Sequence, residues 1–272
     1  MLSMLMITPP KQRGAIAKSW RRIFPPPVEA RLDSAGNAPF IKIICEEHPK
    51  GIDWRMVEAH SLEPSGRLLL PRGLECPAES ELRRFVPTRF MRRMLENFAL
   101  ETLVSSEIPP SERSLAVYGS EAEVVRLLPR LIPLVGNLRI ITRRAYAVKG
   151  IVDDTVKRTG MAICVTDEPD AGESTMLLAP FGGAGFITVR PDAAVIAPDR
   201  PKAECAAWVS SARVSVPPAL EEAYDEAYDV TEFTGAFYEL SGMLGLAGLF
   251  PDHGCCGKSR ITAEELGKII SK

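Results

Sequence analysis

Cysteine, histidine and aromatic residues are scarce in this sequence. The 272 residues include six cysteines, three histidines and 7% aromatic residues, and no two cysteines have the CxxC spacing. This cysteine density is far below that of a disulfide-bonded scaffold, and it favours a reducing, cytoplasmic location. Because no repeated ligand spacing is present either, we expect no metal site.

The sequence also lacks an excess of basic charge and a long apolar run. Thirty-three Lys and Arg against thirty-five Asp and Glu give a net charge of −2, so nucleic acid is not an expected partner. No uncharged apolar run reaches the roughly 18 residues that a membrane-spanning helix needs, and we expect no membrane insertion. The apolar start MLSMLMITPP lacks a basic flank and a cleavage site, which argues against a secretory signal.

Basic residues are concentrated at the start of the chain. Residues 1–27 carry five basic residues and no acidic one, which leaves a charge of −7 on the remainder. We interpret residues 1–37 as a flexible basic arm. Residues 38–110 then have the mixed signals of an α+β region. Strands are expected at Phe40–Cys45 and Arg67–Leu70, with a helix from about Glu81 that is broken at Pro87.

Strand and helix signals alternate regularly after residue 110. Short apolar strands are expected at Leu115–Tyr118, Leu138–Thr142 and Met161–Val165, and successive strands begin 23 residues apart. Between the first two, Ser120 is a natural N-cap for a helix with one continuous apolar face, formed by Val124, Leu127, Leu128, Leu131, Ile132 and Val135. A second helix is expected before the third strand, with Gly160 as its stop and an apolar face formed by Val148, Ile151, Val152 and Val156. These two successive βα units predict a parallel sheet with right-handed crossovers.

The remainder of the chain has less regular spacing. Strands are expected at 175–179, 186–189 and 194–197, joined by a hairpin or an irregular crossover, and a helix is expected at 202–213. Residues 111–216 are therefore interpreted as an α/β domain with a parallel sheet, and residues 217–272 as a C-terminal helical segment. Glycines within 233–250 favour a buried or homodimer-forming helix there. Thr262 and Glu265 have capping-box spacing, which predicts a short terminal helix.

One strand-to-helix junction resembles a nucleotide site. The segment VYGSEAEV resembles the first turn of the NAD(P)-binding Rossmann superfamily, and LRIITRR resembles the end of that fold's second strand. The resemblance extends from Arg113 to about Val165, and it implies a Rossmann-like α/β domain over residues 111–216. It implies that Gly119 and Ser120 lie at the phosphates of a cofactor, and that Thr142, Arg143 and Arg144 lie at its adenosine end. Basic residues at that end suit a 2′-phosphate, so NADP is favoured over NAD.

The motif departs from the superfamily pattern in its glycines. Glu121 and Val124 stand where the second and third glycines are expected, and the carboxylates of Glu121 and Glu123 would repel a pyrophosphate. A second glycine cluster, Gly182, Gly183 and Gly185, would form either a backbone cradle for an anion or a tight hairpin.

Two hypotheses of function follow. One is a cytoplasmic NAD(P)-dependent oxidoreductase acting on an unidentified small molecule, in which no residue is assigned to catalysis. The other is a non-catalytic interaction or regulatory module that has lost nucleotide binding.

Overall fold

The computed structural model describes residues 1–10, 27–62 and 65–271, which form a mixed α/β structure. The chain divides into two compact units. The first unit contains residues 1–90 and 215–247, and the second contains residues 91–214 and 248–272. The basic residues assigned to the N-terminal arm lie at positions 11–22, outside the described residues.

The strands are numbered in chain order. They are β1 (Leu2–Thr8), β2 (Glu29–Ala35), β3 (Ala38–Glu46), β4 (Arg67–Leu68), β5 (Arg83–Arg84), β6 (Ser114–Tyr118), β7 (Asn137–Ile141), β8 (Ala162–Thr166), β9 (Met176–Leu178), β10 (Ala194–Ile196), β11 (Ala207–Val209), β12 (Ser211–Arg213), β13 (His253–Cys256) and β14 (Ser259–Ile261).

The α-helices are numbered in the same way. They are α1 (Trp54–His60), α2 (Thr88–Ser105), α3 (Glu121–Leu131), α4 (Ala145–Thr159), α5 (Val230–Leu240) and α6 (Ala263–Ile270). Short 3₁₀ turns occur at Pro110–Glu112, Ala184–Phe186, Pro218–Ala223 and Leu244–Gly248.

The first unit contains a three-stranded sheet in the order β1-β3-β2. Strand β1 runs parallel to β3, and β2 runs antiparallel to it. Leu2, Met4 and Leu5 on β1 are fully buried, and the N–H group of Leu5 donates to the carbonyl of Leu69 on the other side of the strand. The expected flexible arm over 1–37 therefore contains two strands. A short apolar run buried on both faces has neither helical periodicity nor strand alternation, which is why the sequence pattern did not indicate it.

Two helix predictions are wrong in part. The piece of helix expected from Glu81 to Pro87 is replaced by the short strand β5, whereas the piece expected after Pro87 is confirmed as α2, which begins at Thr88. A single helix over 233–250 is not formed either, because α5 ends at Leu240 and is followed by Gly242 with φ +72°. The glycine in α5 serves internal packing: a Cβ on Gly235 would lie 2.3 Å from the Cβ of Pro87.

The second unit contains a six-stranded sheet in the order β8-β7-β6-β9-β10-β11, and every neighbouring pair is parallel. The predicted parallel α/β sheet is confirmed. From β6 the chain moves outward through β7 and β8, and it then returns to the other side of β6 with β9. The order therefore reverses between β6 and β9.

Helices α3 and α4 connect the first three strands of this sheet, as the spacing predicts. Val124, Leu127, Leu128 and Leu131 are buried along α3, which contains Pro129 and ends at Leu131. Helix α4 ends at Gly160, which takes the left-handed conformation at φ +69°. In the first unit the apolar period agrees with the N-cap at Ser120, and in the second it agrees with the glycine stop at Gly160, so both helices follow their sequence signals.

The second half of the sheet follows the predictions in part. The strands expected at 175–179 and 194–197 form as β9 and β10, which are parallel and joined by an irregular crossover, not a hairpin, whereas no strand forms at 186–189. Apolar residues of the connecting loop, including Ala184, Ile187 and Val189, pack against Leu177 and Val195 of the sheet in place of a crossover helix. The helix expected at 202–213 is also absent, since this segment forms β11 and β12.

The C-terminal segment is not entirely helical. Strands β13 and β14 form a hairpin with Gly257 in its turn at φ +62°, and β12 pairs antiparallel with β13. The predicted capping box is confirmed at the start of α6, where the N–H of Thr262 donates to Oε2 of Glu265 at 2.8 Å.

Candidate functional site

A cavity of about 570 Å³ lies at the carboxyl ends of β6, β7 and β9 in the second unit. It is therefore at the reversal of strand order, where open parallel sheets bind their ligands. Its volume is within the range of small-molecule sites. The lining residues are Tyr118, Gly119, Ser120, Glu121, Glu123, Thr142, Arg143, Arg144, Phe181, Gly182, Gly183 and Phe186.

Seven of the eight residues predicted for the cofactor site line this cavity: Gly119, Ser120, Thr142, Arg143, Arg144, Gly182 and Gly183. They come from three separate loops, and the parallel sheet brings them together. Gly185 is not among the lining residues, and its N–H donates to the carboxylate of Asp199 at 3.0 Å. Asp199 thereby fixes the end of the glycine turn, which contains Gly182, Gly183 and Gly185.

The first side of the cavity is the turn between β6 and α3. The N–H of Gly119 donates to the carbonyl of Ile141 at 3.3 Å, which ties the turn to β7. The N–H of Ser120 donates to Oε2 of Glu123 at 2.8 Å. The same oxygen lies 3.2 Å from the position that a Cβ on Gly119 would occupy. The carboxylate of Glu123 is therefore packed against the glycine at the start of α3.

Two arginines follow β7 on the second side. Arg143 and Arg144 are exposed, and Arg144 is the N-cap residue of α4. Within the described ranges neither guanidinium forms a hydrogen bond or an ion pair. Cations next to a helix N-terminus are unfavourable for the helix, since the macrodipole places partial positive charge there. The arrangement therefore leaves concentrated positive charge at the rim of the cavity.

Thr142 supplies a buried hydroxyl to the lining. Its exposed fraction is 1%, and its N–H donates to the carbonyl of Thr166 at 3.0 Å. The hydroxyl has no hydrogen-bond partner among the described residues. Since buried hydroxyl groups are normally bonded, Thr142 is a candidate contact for a polar group of a ligand.

The glycine turn after β9 forms the third side. Gly182 and Gly183 have φ values of +87° and +100°, which disfavour any side chain. A Cβ on Gly183 would lie 2.2 Å from Cε1 of Tyr118, so glycine also allows the turn to approach the tyrosine ring. The turn leads into a 3₁₀ turn instead of the hairpin considered from the sequence.

Three aromatic side chains complete the lining, and none of them was predicted as a site residue from the sequence. Tyr118 and Phe181 are half-buried, whereas Phe186 is 76% exposed. The guanidinium of Arg92 lies 4.9 Å from the ring centroid of Phe181. The available signal was position, because Tyr118 and Phe181 each immediately precede a predicted glycine turn.

This lining is suited to binding. Aromatic rings can hold a planar group, the arginines can pair with an anion, and Thr142 can bond a hydroxyl. Among the residues that the structure describes, no histidine or cysteine lines the cavity, and we assign no nucleophile or general base there. In the part of the chain that the structure describes, no three His, Cys, Asp or Glu side chains are arranged to hold a metal ion.

Comparison with family models, curated proteins and solved structures gave no match to this chain. Over residues 1–10, 27–62 and 65–271, no helix combines the length and the apolar character needed to cross a membrane.

Proposed function

We propose that the second unit is a Rossmann-like nucleotide-binding domain, with NADP and NAD as its candidate cofactors. The observation that carries the proposal is the cavity at the reversal of strand order, with Arg143 and Arg144 at its rim and the buried hydroxyl of Thr142 in its lining. Counted from β6, the strands have the order 3-2-1-4-5-6, which is common among dinucleotide-binding sheets.

The arginines favour NADP over NAD. In sheets of this order, the end of the second strand lies next to the adenosine ribose, where an acidic residue favours NAD and basic residues suit a 2′-phosphate. Here the second strand is β7, which ends at Ile141. Thr142 is the next residue in the chain, and Arg143 and Arg144 follow it. An oxidoreductase activity would also require a group that positions the nicotinamide and the substrate, and we assign no residue to that role.

Isothermal titration calorimetry at low salt tests the proposal. NADP, NADPH, NAD and NADH are each titrated into the wild-type protein and into the Arg143→Ala/Arg144→Ala variant. We expect binding of the phosphorylated cofactors, and a loss of affinity of at least about tenfold in the variant. Lys157→Ala/Arg158→Ala is the matched control, because it removes two charges from the opposite end of α4.

A non-catalytic interaction module is the second candidate function. The contact between Glu123 and the N–H of Ser120 favours it, since this N–H group would otherwise be offered to a phosphate. Absence of heat with all four cofactors at millimolar concentration would overturn the nucleotide proposal. The same purified protein would then be used to search for protein partners.

A further inference from the structure

The start of α3 already holds a negatively charged group from the chain itself. Oε2 of Glu123 accepts from the N–H of Ser120 at 2.8 Å and packs against Gly119. In a dinucleotide site, a pyrophosphate oxygen takes this position at the helix N-terminus. A pyrophosphate placed there would lie beside the carboxylate of Glu123, and the side chain of Glu121 also lines this side of the cavity. Two like charges in contact repel each other strongly.

The opposite rim of the cavity has the complementary charge. Arg143 and Arg144 have no ion-pair or hydrogen-bond partner in the described ranges, and they directly follow Thr142. Thr142 lines the cavity, and its buried hydroxyl has no hydrogen-bond partner among the described residues, so it indicates a polar ligand group independently of the helix terminus. An anionic group is therefore favoured at the arginines and disfavoured at the Gly119 turn.

We infer that Glu123 occupies the phosphate position at the start of α3, so that the cavity takes a nucleoside with a single phosphate on Arg143 and Arg144 and no pyrophosphate at the turn. The inference rests on the proposed nucleotide binding and narrows it to a class of ligand. The ribose hydroxyl groups then lie at Thr142, and the base lies among the aromatic side chains. NADP binds through its 2′-phosphoadenosine half, and its remaining half contributes little affinity.

Calorimetric titration of three ligands tests this inference: adenosine 2′-monophosphate, NADP and NAD. For the wild-type protein we expect the first two to bind with dissociation constants within about threefold of each other, and NAD to bind at least about tenfold more weakly. Glu123→Gln keeps an acceptor for the N–H of Ser120 but removes the charge. It should strengthen NADP binding by about tenfold and leave the affinity for adenosine 2′-monophosphate unchanged.

Glu265→Gln is the matched control, since Glu265 makes the same capping contact at the start of α6. It should change no affinity. Glu123→Ala is a second variant, which removes the carboxylate from the start of α3 completely. A thermal melt confirms that each variant is folded.

The possible failures are distinguishable. If NADP binds the wild-type protein tenfold or more tightly than adenosine 2′-monophosphate, or if neither Glu123 variant gains affinity for NADP, the assignment of Glu123 is wrong while nucleotide binding stands. If no ligand binds any folded variant, the proposed function itself is overturned.

Discussion

Single residues determine the approach of separate loops in the second unit. Gly183 allows its turn to meet the ring of Tyr118, and Gly119 allows the carboxylate of Glu123 to pack against the start of α3. The sequence pattern identified both glycines as site residues. The pattern could not show which side chain packs against each glycine, because those side chains belong to other parts of the fold. Thr142 illustrates the same limit: its type and position were predicted, but its burial without a partner is a property of the packed sheet.

Gly136 provides a test of close backbone approach. A Cβ at this position would lie 2.0 Å from the carbonyl oxygen of Ser111, a backbone atom that cannot rotate away. We expect Gly136→Ala to lower the free energy of unfolding by about 3 kcal/mol. Gly150→Ala is the control, because Gly150 lies within α4 with nothing within 4 Å of the added Cβ. It should raise stability by about 0.5–1 kcal/mol. Equal effects in urea unfolding would contradict this account.

The thiol of Cys45 predicts a pH dependence of stability. Burial on β3, together with the nearby carboxylate of Asp53, raises the pKa of Cys45 to about 11. An unfolded thiol has a pKa of about 8.5, so with rising pH the unfolded chain loses this proton first. Stability is therefore unaffected by this thiol below about pH 8.5 and declines as the pH rises toward the folded-state pKa, by at most about 3 kcal/mol in total.

Urea unfolding between pH 8 and pH 11 measures this decline, and Cys45→Val isolates the thiol. The valine side chain is apolar and similar in size, so the core remains filled. The variant should lose less stability than the wild-type protein over this interval. Parallel pH curves for the two proteins would show that Cys45 is not responsible.

Helices and strands were predicted correctly where several local sequence signals agreed. Helices α3 and α4 have an apolar period, an initiating or terminating signal and a regular distance to the next strand, and both were predicted. The segment from residue 167 to 213 lacks that agreement. Its crossovers contain loop residues that cover the sheet without forming a helix, and strand β11 becomes evident only through its pairing with β10. Such pairings are tertiary, and they override local propensity.

An ion cluster joins two of the helices. Glu96 on α2 is 1% exposed, and its carboxylate contacts the guanidinium groups of Arg93, Arg126 and Arg130, the last two on α3. Glu96→Gln leaves three arginines without their common anion, and we expect it to lower the free energy of unfolding by about 3 kcal/mol.

Glu264→Gln is the control for this change, since Glu264 forms an exposed ion pair with Lys268 on the surface of α6. Its effect should lie within the error of urea unfolding, because exposed ion pairs contribute little. Comparable losses for the two glutamates would contradict a structural role for the cluster.

The whole molecule has an organisation that consecutive segments do not reveal. The sequence predicts four regions divided at 37, 110 and 216, whereas each compact unit contains two separated stretches of the chain. Composition and turn signals detect changes along the chain, but they contain no information on which distant segments pack together. The first three strands of the parallel sheet were predictable because they and their connecting helices are local repeats. Strand β1, by contrast, depends on β3 and Leu69, which are distant in sequence.

We propose that the cavity at the ends of β6, β7 and β9 binds a nucleotide through Arg143 and Arg144. The most direct measurement is the NADP binding isotherm of the wild-type protein at low salt, beside that of the Arg143→Ala/Arg144→Ala variant. We predict saturable binding to the wild-type protein and a loss of at least about tenfold in the variant, with the Lys157→Ala/Arg158→Ala control unchanged. No binding to the folded wild-type protein, or equal affinity in all three proteins, would contradict the claim.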